Sequence, residues 1–218
     1  MNWTSVIVDL QENCYLYWNE NKQCVIIDPG SRAQQIIDEI QKLELKPVAI
    51  LLTHGHFDHI GAVDEVRNYF QVPCYIHEKD QPYLSDGRLN GSQRLLAEEI
   101  RAQSAEQIIS ANMELNIDGF TLTAIHTPGH TPGGVCYYDN KQKILFTGDT
   151  LFQSSIGRSD LPGGDGATLL DSIKQQLFTL PEDVAVLPGH GPETTIGFER
   201  EHNPFVIVWK MSHEKEIE

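Results

Sequence analysis

The chain has 218 residues, 40% of them hydrophobic, and a formal net charge of −15. That length fits one large domain with a substantial core, expected over residues 1–218 with a charged tail at about 212–218. The acidity, with no basic stretch, weighs against nucleic acid and anionic membrane as partners, and no apolar run is long enough to span a bilayer.

Strands are expected over residues 5–8, 14–18 and 24–28, the last two joined as a hairpin through Asn19-Glu20-Asn21-Lys22. Asp28-Pro29-Gly30 stops the third. Ser31 and Gln34 have capping-box spacing, and Ala33, Ile36, Ile37, Ile40 and Leu43 follow at helical spacing. An apolar strand covers 48–53, a second helix presents Ala62, Val63, Val66, Tyr69 and Phe70 on one face, and a short strand covers 72–76. Residues 78–118 are polar and show little beyond a helix over 92–102. The strand pattern resumes at 120–125, then in a hairpin of 134–138 and 143–147 through Asp139-Asn140. A helix over 167–178 carries Leu169, Leu170, Ile173 and Leu177 on one face, and 184–187 is a last short strand. The strand-and-helix pattern roughly occurs twice, so two sheets face to face with helices outside would bury these faces.

Residues 53–59 read Thr-His-Gly-His-Phe-Asp-His, directly behind an apolar strand. His54, His56, Asp58 and His59 are four potential metal ligands. Side chains two apart in an extended segment point the same way, so His54 and His56 can grip one ion while Asp58 and His59 face a neighbouring position. Three later segments end apolar strands in Gly-rich turns. Thr127-Pro128-Gly129-His130 offers His130, Thr147-Gly148-Asp149 offers Asp149, and Leu187-Pro188-Gly189-His190 offers His190. Five His and two Asp make two sites of three protein ligands each when one Asp is shared, and each ion then keeps an open position. Imidazole plus carboxylate suits zinc, two ions per chain, and also iron or manganese.

The bland readings of other residues are kept where the pattern favours them. His126 is structural or supports a ligand from behind, and His77, His202 and His213 are surface or hydrogen-bonded residues. Asp28 either orients a ligand imidazole or ends its strand. Arg158 binds substrate or pairs with Asp160 or Asp165, and Tyr83 and Tyr137 are as much packing groups as substrate contacts. Asp64 and Glu65 lie on a solvated helix face. Gly163, Gly164 and Gly166 make no phosphate loop, because no Lys follows. Cys14, Cys24, Cys74 and Cys136 form no C-x-x-C pair and read as small buried thiols. Met1-Asn2-Trp3-Thr4 opens no visible secretory signal, so a cytoplasmic location is expected.

The ligand set resembles that of the metallo-beta-lactamase superfamily, from Asp28-Pro29-Gly30 to His190. The resemblance implies an α+β fold, a four-layer αββα sandwich of two mixed β-sheets with outer helices. It implies that His54, His56 and His130 hold one metal, that Asp58, His59 and His190 hold the other, and that Asp149 bridges. Within the superfamily the chain is similar to short bacterial hydroxyacylglutathione hydrolases (glyoxalase II). The similarity lies in residues 53–62, in Gly148-Asp149-Thr150-Leu151-Phe152, in residues 156–164 and in residues 188–205. True β-lactamases of the superfamily commonly replace the bridging Asp with Cys, and Asp149 argues against that activity. The helical C-terminal extension of long glyoxalase II enzymes is not expected, and Gly191-Pro192 stands where they carry a Tyr. Another low-molecular-weight thiol therefore stands beside glutathione as a possible carrier.

The implied activity is metal-dependent hydrolysis of an S-2-hydroxyacyl thioester by a metal-bridging hydroxide, as in conversion of S-lactoylglutathione to lactate and free thiol in methylglyoxal detoxification. Asp58 would also aim the hydroxide, and Arg158 is the basic contact carried over for the small-molecule thiol conjugate. The alternatives are an iron-dependent persulfide dioxygenase on the same fold, which would use His54, His130 and Asp149, and a hydrolase of another ester or lactone.

Overall fold

A computed structural model describes residues 1–96, 98–110 and 112–207. The expected charged tail and His213 lie outside these residues. Two six-stranded sheets form the body. The first runs in the order β1 (Asn2–Ile7), β2 (Asn13–Trp18), β3 (Gln23–Ile27), β4 (Lys46–Leu51), β5 (Cys74–His77) and β6 (Gln107–Ile109). Its first three strands pair antiparallel and β3 to β6 pair parallel, so the sheet is mixed. The second runs β14 (Thr194–Thr195), β13 (Ala185–Pro188), β10 (Ile144–Gly148), β9 (Val135–Asp139), β8 (Phe120–His126) and β7 (Met113–Ile117). It is antiparallel except where β10 and β13 run parallel.

Period-two alternation makes the layers. On β2, Tyr15 and Tyr17 enter the core between the sheets, while Cys14 and Leu16 face the outer helices. On β3, Val25 and Ile27 face inward and Cys24 and Ile26 outward. Tyr137 and Phe146 of the second sheet meet them in the middle, and Cys136, Tyr138 and Leu145 face away. Full burial of one such large side chain contributes roughly 1.5–3 kcal/mol. Outside the first sheet lie α1 (Ala33–Lys42), the short α2 (Phe57–Ile60) and α3 (Val63–Phe70); α1 buries Ile36, Ile37 and Ile40. Outside the second sheet, α5 (Gly166–Ser172) continues as a π-turn over Ile173–Leu177, which sets Leu169, Ile173 and Leu177 against the sheet. The four-layer αββα expectation holds.

Several local expectations change. Ser31 and Gln34 form no capping box: the Ser31 hydroxyl donates to Asp9 and Gln34 donates to Asp38. Arg32, in the left-handed region at φ 50°, precedes the helix instead. The helix expected over 92–102 stops early, as α4 (Ser92–Leu95), because Ser92 Oγ turns back to accept from the Ile100 N–H at 3.0 Å and fixes an irregular loop. Tyr69 is exposed rather than on the buried face, its ring against Phe70 and its hydroxyl accepting from Gln41 Nε2. Strands β6, β7 and β14, the hairpin of β11 (Leu151–Phe152) and β12 (Ser155–Ile156), and helix α6 (Ile196–His202) carry too little periodicity to be read from sequence.

Candidate metal centre

All seven residues expected as ligands lie beyond the C-terminal ends of strands. His54, His56, Asp58 and His59 follow β4, His130 follows β8, Asp149 follows β10 and His190 follows β13. The sheets hold these loops together. Val135 N–H donates to Thr53 O at 2.8 Å, Gly189 N–H to Gly148 O at 2.8 Å, and Asn13 N–H to Gly189 O at 2.8 Å. Gly189 is required by close approach: a Cβ there would sit 2.5 Å from Asp149 Oδ1 and 2.7 Å from His59 Cε1. Gly148 has φ +47°, which favours glycine, and its turn swings Asp149 toward the histidines.

Donor atoms converge in two groups. In the first, His56 Nδ1 lies 2.8 Å from His130 Nε2, which lies 3.2 Å from His54 Nε2. In the second, Asp58 Oδ2 lies 3.4 Å from His190 Nε2 and 4.0 Å from His59 Nε2. Asp149 stands between them. Its Oδ2 is 3.5 Å from His130 Nε2, and its Oδ1 is 3.4 Å from His59 Nε2 and 3.7 Å from His190 Nε2. The seven residues expected from sequence are thus brought together. Access is one-sided: His59 is fully buried, while the Asp58 and His190 side chains are 18% and 25% exposed.

The hydrogen bonds behind the rings fix their tautomers. Thr53 Oγ1 donates to Asp28 Oδ2 at 2.5 Å, so it accepts from His54 Nδ1 at 3.1 Å. His130 Nδ1 donates to the Arg158 carbonyl at 2.6 Å. In the neutral rings both Nε2 atoms then carry lone pairs, aimed at one another. His59 Nδ1 donates to Asp28 Oδ2 at 3.0 Å, leaving its Nε2 facing Asp149. His59 Nε2 and Asp149 Oδ1 are buried with no hydrogen-bond partner. Imidazole nitrogens and carboxylate oxygens that converge in this way fit a cation, and the His54, His59 and His130 rings are oriented from behind as metal-bound imidazoles are. The residues present fit the metal that their types imply.

Electrostatics separate the two groups. Burial, then the neighbouring imidazoles, pushes His54 well below the ordinary histidine range. Burial and His130 push His56 down to about 3. For His59 burial acts in the opposite direction to the Asp149 and Asp58 carboxylates, and the carboxylates win, holding it well above the ordinary range. The same contest raises His190 and lowers Asp58 and Asp149.

Asp28 does both things considered for it: it accepts the Thr53 N–H at 2.7 Å at the end of its strand and it orients His59. His126 is structural, its Nε2 against Pro132 O at 3.0 Å and its ring stacked on His77. His77 is buried. Tyr83 and Tyr137 donate to the carbonyls of Pro162 and Leu52. The Arg158 guanidinium pairs with Asp160 at 2.7 and 2.8 Å and is about half exposed, so its carbonyl, through His130, makes its observed link to the centre. Sequence reasoning missed Asp80. Its carboxylate accepts from Gly55 N–H at 2.9 Å, Thr131 Oγ1 at 2.7 Å and Gly133 N–H at 2.6 Å, clamping the loop of His54 and His56 to the loop of His130. Its placement after β5, as Asp28 follows β3, was the available signal.

The metallo-beta-lactamase superfamily model matches residues 7–190, and the chain belongs to that family. It is 46% identical over 207 residues to the probable metallo-hydrolase YqgX of Bacillus subtilis, covering 94% of this chain and 98% of the relative. It is 39% identical over 201 residues to the hydroxyacylglutathione hydrolase GloC of Haemophilus influenzae, covering 92% and 95%. Among solved structures it is similar to BLEG-1 B3 metallo-beta-lactamase, with TM-score 0.92, 48% identity and coverage of 94% and 99%. It is also similar to TTHA1623 in a di-iron-bound form, with TM-score 0.83, 39% identity and coverage of 93% and 99%. ETHE1 from Myxococcus xanthus matches at TM-score 0.75 and 26% identity, over 94% of this chain and 84% of that one. The chain is therefore a metallo-hydrolase-family protein with His/Asp clusters suited to metal. Among the described residues no helix is long and apolar enough to cross a membrane.

Proposed function

We propose that this protein hydrolyses thioesters of the S-2-hydroxyacyl-thiol type at a two-metal centre. The observation that carries the reading is Asp149 facing both donor groups, Oδ2 to His130 and Oδ1 to His59 and His190. His54, His56 and His130 would hold one ion and Asp58, His59 and His190 the other, with Asp149 shared. Zinc suits this donor set, and the di-iron form of TTHA1623 supports iron as well. Bound divalent ions would supply a Lewis acid and hydroxide at neutral pH.

The remaining steps belong to the chain. Asp58, on the open side, accepts a hydrogen bond from the attacking water and aims it at the thioester carbonyl. Asp28 and the Arg158 carbonyl keep His59 and His130 in the required tautomers. The leaving thiolate needs no strong acid, because a free thiol has a pKa of about 8.5. Arg158, half exposed beside the His130 loop, is the proposed contact for an anionic thiol conjugate. The likeness to GloC supports a hydroxyacyl thiol as substrate. With that substrate goes a proposed role in detoxification.

A second reading is β-lactam hydrolysis, which the likeness to BLEG-1 favours and Asp149, where β-lactamases of the superfamily commonly carry Cys, disfavours; the same water would attack the lactam carbonyl. A persulfide dioxygenase reading draws on ETHE1 at lower identity. The deciding experiment measures thiol release from S-D-lactoylglutathione by zinc-loaded and iron-loaded protein, beside a chromogenic cephalosporin and a persulfide with oxygen monitoring. Thiol release far above the metal-only background, lost in His54→Ala, is expected. Turnover of the cephalosporin or persulfide alone would sink the thioester reading.

A further inference from the structure

We propose that Glu12 is a positioning residue for the second donor group: it sets how tightly the Asp58, His59 and His190 position holds its cation, without touching the ion. The proposal rests on the metal reading above. Glu12 ends the 3₁₀ turn Asp9–Gln11 and precedes β2. Its backbone bridges His190 in antiparallel fashion, and its carbonyl accepts the Val8 N–H at 2.9 Å. This delivers the side chain to the back of the centre, where it is 0% exposed. Oε1 lies 3.9 Å from His59 Nδ1, whose proton already goes to Asp28. Neither carboxylate oxygen has a hydrogen-bond partner. Gly30 leaves the room it needs, since a Cβ there would sit 2.7 Å from Glu12 Oε2.

A buried carboxylate with no donor is costly on its own. Nothing in its hydrogen bonding offsets that cost. The one group that opposes it is the His59 ring at 3.9 Å, whose far nitrogen faces two further carboxylates, Asp58 and Asp149. Negative charge behind an imidazole makes it a more basic ligand and favours a cation on the other side. Glu12 thus adds a buried fourth acid to Asp28, Asp58 and Asp149, a cluster that His59 balances only in part and that a cation at the second position would relieve. A residue kept for packing would stabilise the metal-free and the loaded chain alike.

The test compares wild type with Glu12→Gln, which keeps shape and removes the charge. The probes are Zn2+ and Co2+ alone. Stepwise affinities come from chelator competition, the Co2+ visible spectrum reports each position, and thermal midpoints are taken metal-free and loaded. The expected result is weaker binding of the second ion by roughly 10- to 100-fold, an unchanged first ion, and a metal-free midpoint no lower than wild type. A fall in the metal-free midpoint with both affinities unchanged, or a variant that does not fold, would overturn the proposal in favour of a packing role. A wild-type chain that binds one ion or none would overturn the two-position reading itself, and Glu12's role with it.

Discussion

The two donor groups use the same imidazoles in opposite electrical settings. His54 is oriented by a hydroxyl and His130 by a backbone carbonyl, and burial holds His54 and His56 far toward the neutral form. His59 and His190 sit among Asp58 and Asp149, with Asp28 behind His59, and are pushed toward the charged form. The first position attracts a cation through converging lone pairs; the second attracts it through net negative charge. Alike in ligand type, they differ in how they should fail. Loss of a support should loosen the first by disordering geometry, and loss of a carboxylate should loosen the second by removing charge.

Asp149 is the one residue common to both, so its removal breaks the comparison outright. Asp149→Ala should bring thioester hydrolysis down to the metal-only background and lower metal content at both positions. Full turnover with both ions retained would remove Asp149 from the bridging role. Asp80 separates the positions. Asp80→Ala leaves Gly55 N–H, Gly133 N–H and the Thr131 hydroxyl without their acceptor, each orphaned donor costing about 1–3 kcal/mol. The thermal midpoint should fall and the first ion should be lost at chelator concentrations that leave the second in place. Asp80→Asn keeps one acceptor oxygen and should fall less. Simultaneous loss of both ions would show that the two loops fail as one unit.

The ligands were legible because four crowd into residues 54–59 and the other three each stand alone in a Gly-rich turn, all after apolar runs, and strand direction brings such turns to one end of a sheet. The sandwich was legible from alternation on β2, β3, β9 and β10. Of the supports, Asp28 was legible in part, from its place at the end of a strand. Asp80 and Glu12 read as ordinary acidic residues, and their burial sets them apart. Asp80 lies in a polar stretch and meets Gly55 and Gly133 only after both sheets have formed. Glu12 precedes a strand, a place where an exposed turn residue is the default reading. The short helix α4 failed for a related reason: Ser92 bonds to Ile100 across a loop, a contact with no periodic signature.

The smallest expected effect lies away from the centre and concerns the stacked pair that ties β5 to β8. The His77 and His126 rings are 4.2 Å apart with 7° between their planes. Burial first, then His126 and Lys79, pushes His77 down from 6.5 to about 4. A histidine depressed on folding contributes stability above its unfolded value and loses it as pH falls through the folded one. The wild-type chain should therefore lose stability between pH 6.5 and pH 4 as this ring is forced to charge. His77→Phe keeps a ring against His126 but has no proton to take up. Urea unfolding across that interval should show a shallower decline for the variant than for wild type, with metal content at neutral pH unchanged. Equal declines would assign the acid response to other groups and leave the stack a neutral packing contact. A fall in metal content would show that the link between β5 and β8 reaches the first position through Asp80, three residues beyond His77, and would tie the rim of the sandwich to the neutral half of the centre.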